Sequence, residues 1–312
     1  MGTFVGHMIP GLALILLGLW HTINTIKAYF LKGKSNFHSR FWYPFDHFSF
    51  KFKYLELVLI FSFSIFSITM QILAFYNLGF SFMLDSLEHA TMFFHLAIYA
   101  GTALLIELTH FPEVFTWLSG VLAVSVFSQE FFLLHFHSTD HVGLEGHYHW
   151  LLQVIVLFSA VSAAAMTSFP NSVLPPFVLS ISVLFQGCWF INMGCMLWVP
   201  WFVPKGCMVR MEGGNDMHGA VICIKDEAFH RATGFANLQF SLILAGIMIL
   251  TACLCLILAG KCMAKRQSIE YERLHSRVAD AGSRFPMDVT GFAPKSGQIA
   301  ANFSMYECTQ PY

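Results

Sequence analysis

The sequence predicts an all-α protein, a seven-transmembrane-helix bundle with its N-terminus lumenal or extracellular and its C-terminus cytosolic. Three observations predict this fold. First, 56% of the 312 residues are hydrophobic and only 11% are charged, with a mean hydropathy of +0.62, whereas soluble domains carry about 25% charged residues. Second, the chain contains seven long apolar windows. Third, its Lys and Arg residues are concentrated in one set of loops.

Each apolar window is long enough to cross a bilayer as a helix, which takes about 20 residues. The windows are too long for barrel strands, which alternate over about ten residues. Because lipid cannot hydrogen-bond to the backbone, helices are the remaining solution. In chain order the windows are Val5–Ile26, Leu55–Tyr76, His89–His110, Val114–Phe136, Tyr148–Phe169, Leu174–Val199 and Thr233–Gly260.

The connections between windows carry helix-breaking or polar residues. Pro112 separates the third window from the fourth, Pro170 the fifth from the sixth, and Pro200 follows the sixth. Proline cannot continue a helix and restricts the residue before it. The first window lacks a basic leader and a small-residue cleavage site, so we interpret it as a retained span. We therefore expect a membrane bundle over residues 1–262 and a flexible cytosolic tail over 263–312.

The distribution of basic residues predicts the orientation. Thirteen Lys and Arg residues lie in the first connection and after the last window, whereas four lie in the connection between the sixth and seventh windows. Basic residues near membrane spans favour the cytosolic side. The loop that holds Cys207 and Cys223 is then lumenal or extracellular, where these two cysteines can either pair or remain thiols.

Composition also limits the partners and the location. A formal net charge of −1 excludes a nucleic-acid binder that works through bulk charge. The predicted partner is the lipid bilayer, and the predicted location is a membrane of the secretory pathway or the plasma membrane. The sequence indicates neither an organelle nor a protein partner.

Five histidines are expected at one depth near the lumenal leaflet. Odd-numbered spans begin on the lumenal side and even-numbered spans end there, so residues far apart in the chain reach the same level. Ionisable groups at membrane depth are costly and usually face the interior of a bundle. The five lie at the lumenal ends of five different windows: His7, His89, His137, His149 and His230.

Polar residues accompany these histidines at helical spacing. Glu145, His149 and Gln153 follow one another every four residues and so share a helix face. Neutral imidazoles with a carboxylate are typical ligands of Zn²⁺. We therefore predict a transition-metal site, with zinc as the best match, whose candidate ligands are His89, Glu130, His137, His149 and His230. The predicted polar neighbours are His7, Glu145, Gln186 and Asn237, and His230 and Asn237 are seven residues apart on one face.

Three hypotheses for the function remain open. A metal ion with one position left to water would allow metal-assisted hydrolysis, although the sequence names no substrate and no catalytic residue. The same side chains can instead form a structural polar network in a non-enzymatic trafficking or interaction protein. They can also serve a proton or metal-ion carrier. The additional histidines at 135, 141 and 147 are interpreted as solvated loop residues.

The chain resembles the transmembrane protein 45 family, and within it the transmembrane epididymal proteins. The resemblance covers about residues 1–262 and is carried by the segments Met1–Gly11, Leu17–Trp20, His89–Met92 and Gln186–Phe190. Glu130, His137, His149 and His230 also match the pattern of that family, while Glu145 stands at a position where the pattern has Asp. The resemblance implies a multi-pass membrane protein of mostly unassigned activity.

Overall fold

The structure is a computed structural model that describes residues 4–45, 53–77, 80–109, 112–136, 143–209 and 221–283. Within these residues, seven helices are long and apolar enough to cross a membrane, which confirms the predicted all-α seven-helix architecture. Their bounds are α1 Phe4–Lys32, α2 Leu55–Asn77, α3 Phe80–Glu107, α4 Thr116–Phe136, α5 Gly143–Ser168, α6 Leu174–Trp198 and α7 Asp226–Ser283.

A 3₁₀ turn and two short strands lie in the connections between helices. A single 3₁₀ turn over Pro112–Phe115 precedes α4. Between α6 and α7, the strands β1 (Cys207–Val209) and β2 (Val221–Cys223) pair in antiparallel register, with Cys207 opposite Cys223. A disulfide joins these two cysteines, so the pairing that the sequence left open is present in the structure.

The helices pack in two groups that meet through α4 and α5. Helix α1 lies along α6, and α6 also packs on α5, while α2, α3 and α4 contact one another in sequence order. Helix α7 touches α1, α5 and α6. We call the end of the bundle where α1 begins the N-terminal end. The start of α5 and the end of α6 lie at that end, because His7 contacts both His149 and Trp198.

Glycines allow α1 and α6 to approach each other closely. A Cβ atom on Gly18 would lie 2.5 Å from the backbone nitrogen of Leu184, and one on Gly187 would lie 2.5 Å from the backbone nitrogen of Ile15. No real Cβ atom fits at these distances. Small residues at helix crossings let two backbones come together in a membrane, where dispersion contacts and hydrogen bonds drive association.

The apolar core lies between α5, α6 and α7, and the outer faces carry large hydrophobic side chains. Trp189, Tyr148 and Leu152 are fully buried in this core. On α7, Leu242, Ile249 and many other apolar residues are exposed. This distribution is typical of a membrane protein, because lipid tails solvate apolar side chains as well as a protein core does.

Helices α3 and α7 extend furthest beyond their predicted windows. Helix α3 begins at Phe80 rather than at His89, and α7 continues to Ser283 rather than ending at Gly260. Ala, Lys, Arg and Glu follow Gly260, and these residues favour helix without an apolar environment. The division into a bundle and a tail at residue 262 stays a prediction, and residues 284–312 lie outside the described part of the chain.

The close crossing of α1 and α6 makes a testable prediction. Gly18→Ala places a methyl group against the backbone of Leu184, so the two helices must separate, at a cost of about 1–3 kcal/mol. Gly246→Ala is the matched control, because nothing lies within 4 Å of that position. The melting temperature of detergent-solubilised protein should fall for Gly18→Ala and stay level or rise for Gly246→Ala. Equal melting temperatures for the two variants would contradict the packing described above.

Candidate functional site

Two buried histidines from different helices meet near the N-terminal end of the bundle. His7 of α1 is 6% exposed and His149 of α5 is 7% exposed, and their ring centroids lie 6.1 Å apart. The ring of His7 also contacts the ring of Trp198, at 4.4 Å between centroids. Gly194 provides room beside His7, since a Cβ atom there would lie 3.3 Å from the Cβ of His7.

These histidines belong to a larger group of buried polar side chains on α1 and α5. We call it the N-terminal polar cluster: His7, Glu145, His149 and Gln153. Helix α5 buries Glu145, His149 and Gln153 along one face, in agreement with their four-residue spacing. Nδ1 of His149 lies 3.0 Å from the backbone oxygen of Glu145, one turn earlier. The row predicted from the sequence is therefore an interior row.

Gln186, a predicted neighbour, lies apart from this cluster, on α6 about 18 Å before Trp198. Its side chain is fully buried on α6 and donates from Nε2 to Oγ of Ser159 on α5, at 2.8 Å. Among the described residues, three buried side-chain atoms lack a hydrogen-bond partner: Oε1 of Gln186, Nε2 of Gln153 and Nε1 of Trp198. All three lie on α5 and α6. An unsatisfied buried polar atom costs about 1–3 kcal/mol, so each of these three atoms lowers the stability of the bundle.

A second set of polar bonds attaches α7 to α5 and α6. The hydroxyl of Tyr148 donates to Oε1 of Gln239 at 2.7 Å, and Nδ2 of Asn192 donates to the same oxygen at 3.3 Å. Nε1 of Trp189 donates to the backbone oxygen of Tyr148 at 3.0 Å. One amide oxygen on α7 therefore holds side chains from two other helices.

His147 has a defined partner, which the sequence analysis did not expect. Its Nε2 lies 2.8 Å from Oδ1 of Asn237 on α7. The sequence predicts that His147 lies in a solvated loop, but α5 begins at Gly143 and so contains it. Its bond to Asn237 is nevertheless exposed.

His230 departs from the predicted site. It is exposed near the start of α7, whereas Ala228, Ala232 and Ala236 are buried on the face that packs against the bundle. His230 is two residues from both Ala228 and Ala232, which is about 200° around a helix axis. The rotation of α7 therefore turns His230 away from the interior, and its expected burial with the other histidines is wrong.

The remaining predicted ligands lie on other helices. Glu130 is buried on α4 and His89 is partly buried on α3, while His137 lies outside the described residues. In the described part of the chain, no group of three or more His, Cys, Asp or Glu side chains could hold a metal ion. The five-ligand set, which includes His137, stays a prediction.

Residues 116–256 match a family of unknown function, DUF716. That family includes the transmembrane protein 45 proteins, so the match agrees with the resemblance seen in the sequence. The matched segment runs from the start of α4 into α7. It contains every member of the N-terminal polar cluster except His7, together with Tyr148, Asn192 and Gln239.

A buried carboxylate organises the opposite end of the bundle. Glu56 of α2 is only 4% exposed. Its carboxylate lies 2.8 Å from Nε1 of Trp20 and 2.7 Å from Nε2 of His21, and it accepts the backbone N–H of Tyr43 at 2.9 Å. The carboxylate thereby joins α2 to α1 and to the connection between them.

The α1–α2 connection is fixed by further bonds around Glu56. The backbone N–H of Ser39 donates to the oxygen of Pro170 at 2.7 Å, and the hydroxyl of Tyr99 donates to the oxygen of Phe41 at 2.7 Å. Burial raises the pKa of Tyr43 to about 12. Its hydrogen bond to Thr25 opposes this rise, and the charge of Glu56 adds a smaller contribution to it. The Tyr43 hydroxyl is therefore protonated at physiological pH and bonded to Thr25.

The sequence alone does not predict this site, because Glu56 lies three residues after Lys53, a spacing that favours a surface ion pair. The position of the Glu56 charge could have indicated the buried site. Glu56 is the second residue of α2, at the start of the second apolar window. Trp20 and His21 lie near the end of the first window, at the same depth. Three polar groups at one depth on adjacent spans favour a buried contact, but their bonding follows from a loop whose path the sequence did not predict.

Removal of the Glu56 carboxylate should destabilise the protein. Glu56→Ala leaves Trp20, His21 and the backbone of Tyr43 without their acceptor, at about 1–3 kcal/mol for each buried donor. Glu272→Ala removes an exposed carboxylate from the extension of α7 and is the matched control. The melting temperature in detergent should drop for Glu56→Ala alone. A Glu56→Ala protein as stable as the control would show that the carboxylate does not hold the connection in place.

Proposed function

We propose that this chain is a non-enzymatic multi-pass membrane protein of the transmembrane protein 45 type, similar to the transmembrane epididymal proteins. In this proposal the buried histidines, glutamines and Glu145 act as a structural polar network. The DUF716 match over residues 116–256 supports the family assignment. The observation that carries the structural role is the mutual bonding of interior polar groups, above all the joining of α5 and α6 to α7 through Gln239.

The network has a clear physical task in a membrane. Apolar surfaces gain little by leaving lipid for protein, so helix association depends on close packing and interhelical hydrogen bonds. Gln186 bonds α6 to α5, Tyr148 bonds α5 to α7, and His7 packs α1 against both α5 and α6. Each polar side chain therefore contributes to fixing a particular pair of helices.

The orientation and location belong to the same proposal. We place the N-terminus on the lumenal or extracellular side and the C-terminus in the cytosol, in a secretory-pathway or plasma membrane. Two independent observations support this orientation: thirteen of the seventeen basic residues lie on the proposed cytosolic side, and the Cys207–Cys223 disulfide lies between α6 and α7, at the N-terminal end. Disulfides persist in oxidising compartments.

A transition-metal site is the second candidate, and the pair His7 and His149 favours it. The two rings come from different helices and lie 6.1 Å apart, with Glu145 one turn before His149. The contact of Nδ1 of His149 with a backbone oxygen favours the tautomer whose lone pair is on Nε2, as in many histidine ligands. Zn²⁺ would suit two imidazoles and a carboxylate, with His137 as a further predicted ligand.

A proton or metal-ion carrier receives less support from the geometry. A carrier needs polar groups that connect the two ends of the bundle. His7 and His21 lie fourteen residues apart on α1, which corresponds to about 21 Å. The residues between them on α1, including Gly11 and Gly18, are almost all apolar or glycine and pack against α6.

Metal analysis combined with stability measurements distinguishes the first two candidates. The full chain would be purified without chelators as wild type, as His7→Ala/His149→Ala and as the exposed control His38→Ala/His275→Ala. A structural network predicts less than about a tenth of an equivalent of any transition metal, and a lower melting temperature only for the His7/His149 variant, since emptied core positions cost about 2–5 kcal/mol. About one equivalent of metal in the wild type and the control, lost in the His7/His149 variant, would overturn the structural proposal and establish the metal site.

A further inference from the structure

Basic side chains from α1, α7 and the α1–α2 connection converge at the end of the bundle opposite the N-terminal end. We call this group the basic patch, and its members are Lys27, Lys32, Arg40, Lys261, Lys265 and Arg266. More than two hundred residues of sequence separate its two parts. The convergence follows from the fold, since α1 and α7 both begin at the N-terminal end and pack side by side.

Direct contacts hold the two helices together at this level. Leu31 and Phe30 of α1 pack against Cys262, which is fully buried on α7. The guanidinium of Arg266 lies over Gly33, just after α1, where an added Cβ atom would be 2.8 Å from Nη1. Gly33 has a φ of +77°, the left-handed conformation that glycine adopts readily. The glycine both ends α1 and leaves space for Arg266.

The charges of the patch lie close enough to act on one another. Lys27 is partly buried and is repelled by both Lys261 and Lys265, which are one helical turn apart. Lys32 is repelled by Arg40 in the same way.

The depth of the basic patch in the membrane indicates which ligand it binds. Lys261 directly follows the apolar run of α7, and Lys27 directly follows the first apolar window. Basic side chains at the ends of spans reach the phosphate level of the bilayer. Basic pockets between transmembrane helices on the cytosolic side bind the headgroups of anionic phospholipids. A group of charges from two helices and a loop suits a headgroup with several phosphates better than one with a single phosphate.

We propose that the basic patch binds the headgroup of a polyphosphorylated phosphoinositide in the leaflet at this end of the bundle. The predicted orientation makes that leaflet cytosolic. The headgroup phosphates contact Lys27, Lys261 and Lys265 beside the place where α1 and α7 pack together. The site is separate from the N-terminal polar cluster, and the proposal does not depend on what that cluster does.

Binding would be measured on the full chain in neutral detergent by the shift of its melting temperature. The probe is short-chain phosphatidylinositol bisphosphate, with phosphatidylserine at matched charge and free inositol trisphosphate as the other arms. The patch variant is Lys261→Gln/Lys265→Gln/Arg266→Gln. The matched control, Lys205→Gln/Lys225→Gln/Arg231→Gln, removes the same charge from the N-terminal end.

The proposal predicts binding of the phosphoinositide by the wild type and the control, and binding weakened about a hundredfold in the patch variant. Lys261→Arg/Lys265→Arg, which keeps the charge, should bind as the wild type does, which separates lost binding from poor folding. The proposal is overturned if the phosphoinositide does not shift the melting temperature of the wild type, or if the patch and control variants bind it alike. It is also overturned if phosphatidylserine binds equally well. Equal affinity for inositol trisphosphate would assign the site to a soluble phosphate compound instead of a lipid.

Discussion

The inability of hydrocarbon to hydrogen-bond is the constraint on which the rest of this structure depends. It requires the seven apolar segments to be helices, and it drives polar side chains inside the bundle to find partners there. Gln239 satisfies side chains from α5 and α6, and Glu56 satisfies donors from α1 and from the connection after it. The polar side chains thus help to fix which helices are neighbours, while the apolar ones face lipid or fill the core.

Close packing and polar contacts support each other along α1. Gly18 and Gly187 bring α1 against α6, and that approach places His7 beside Trp198 and His149. At the far end of the same helix, His21 reaches Glu56 and Lys27 reaches the start of the α7 extension. A single helix therefore links the N-terminal polar cluster, the Glu56 carboxylate and the basic patch.

The sequence predicted the spans well because hydrophobic length is a local property. It also predicted the interior row on α5, since Glu145, His149 and Gln153 share a face of any helix that contains them. It did not predict the outward turn of His230, which depends on how α7 rotates to bury Ala232. The role of Glu56 was missed for a similar reason, because its partners come from a connection whose path is set by tertiary contacts.

A double-mutant cycle on Tyr148 and Gln239 tests most directly whether interior polar pairs hold the helices together. Tyr148→Phe, Gln239→Leu and the double variant would be unfolded reversibly in mixed micelles, and the free energies of unfolding compared with the wild type. If the bond joins α5 to α7 as described, the cycle should give a coupling energy of about 0.6–1.7 kcal/mol. Effects of the two substitutions that simply add, with a coupling energy near zero, would contradict the account.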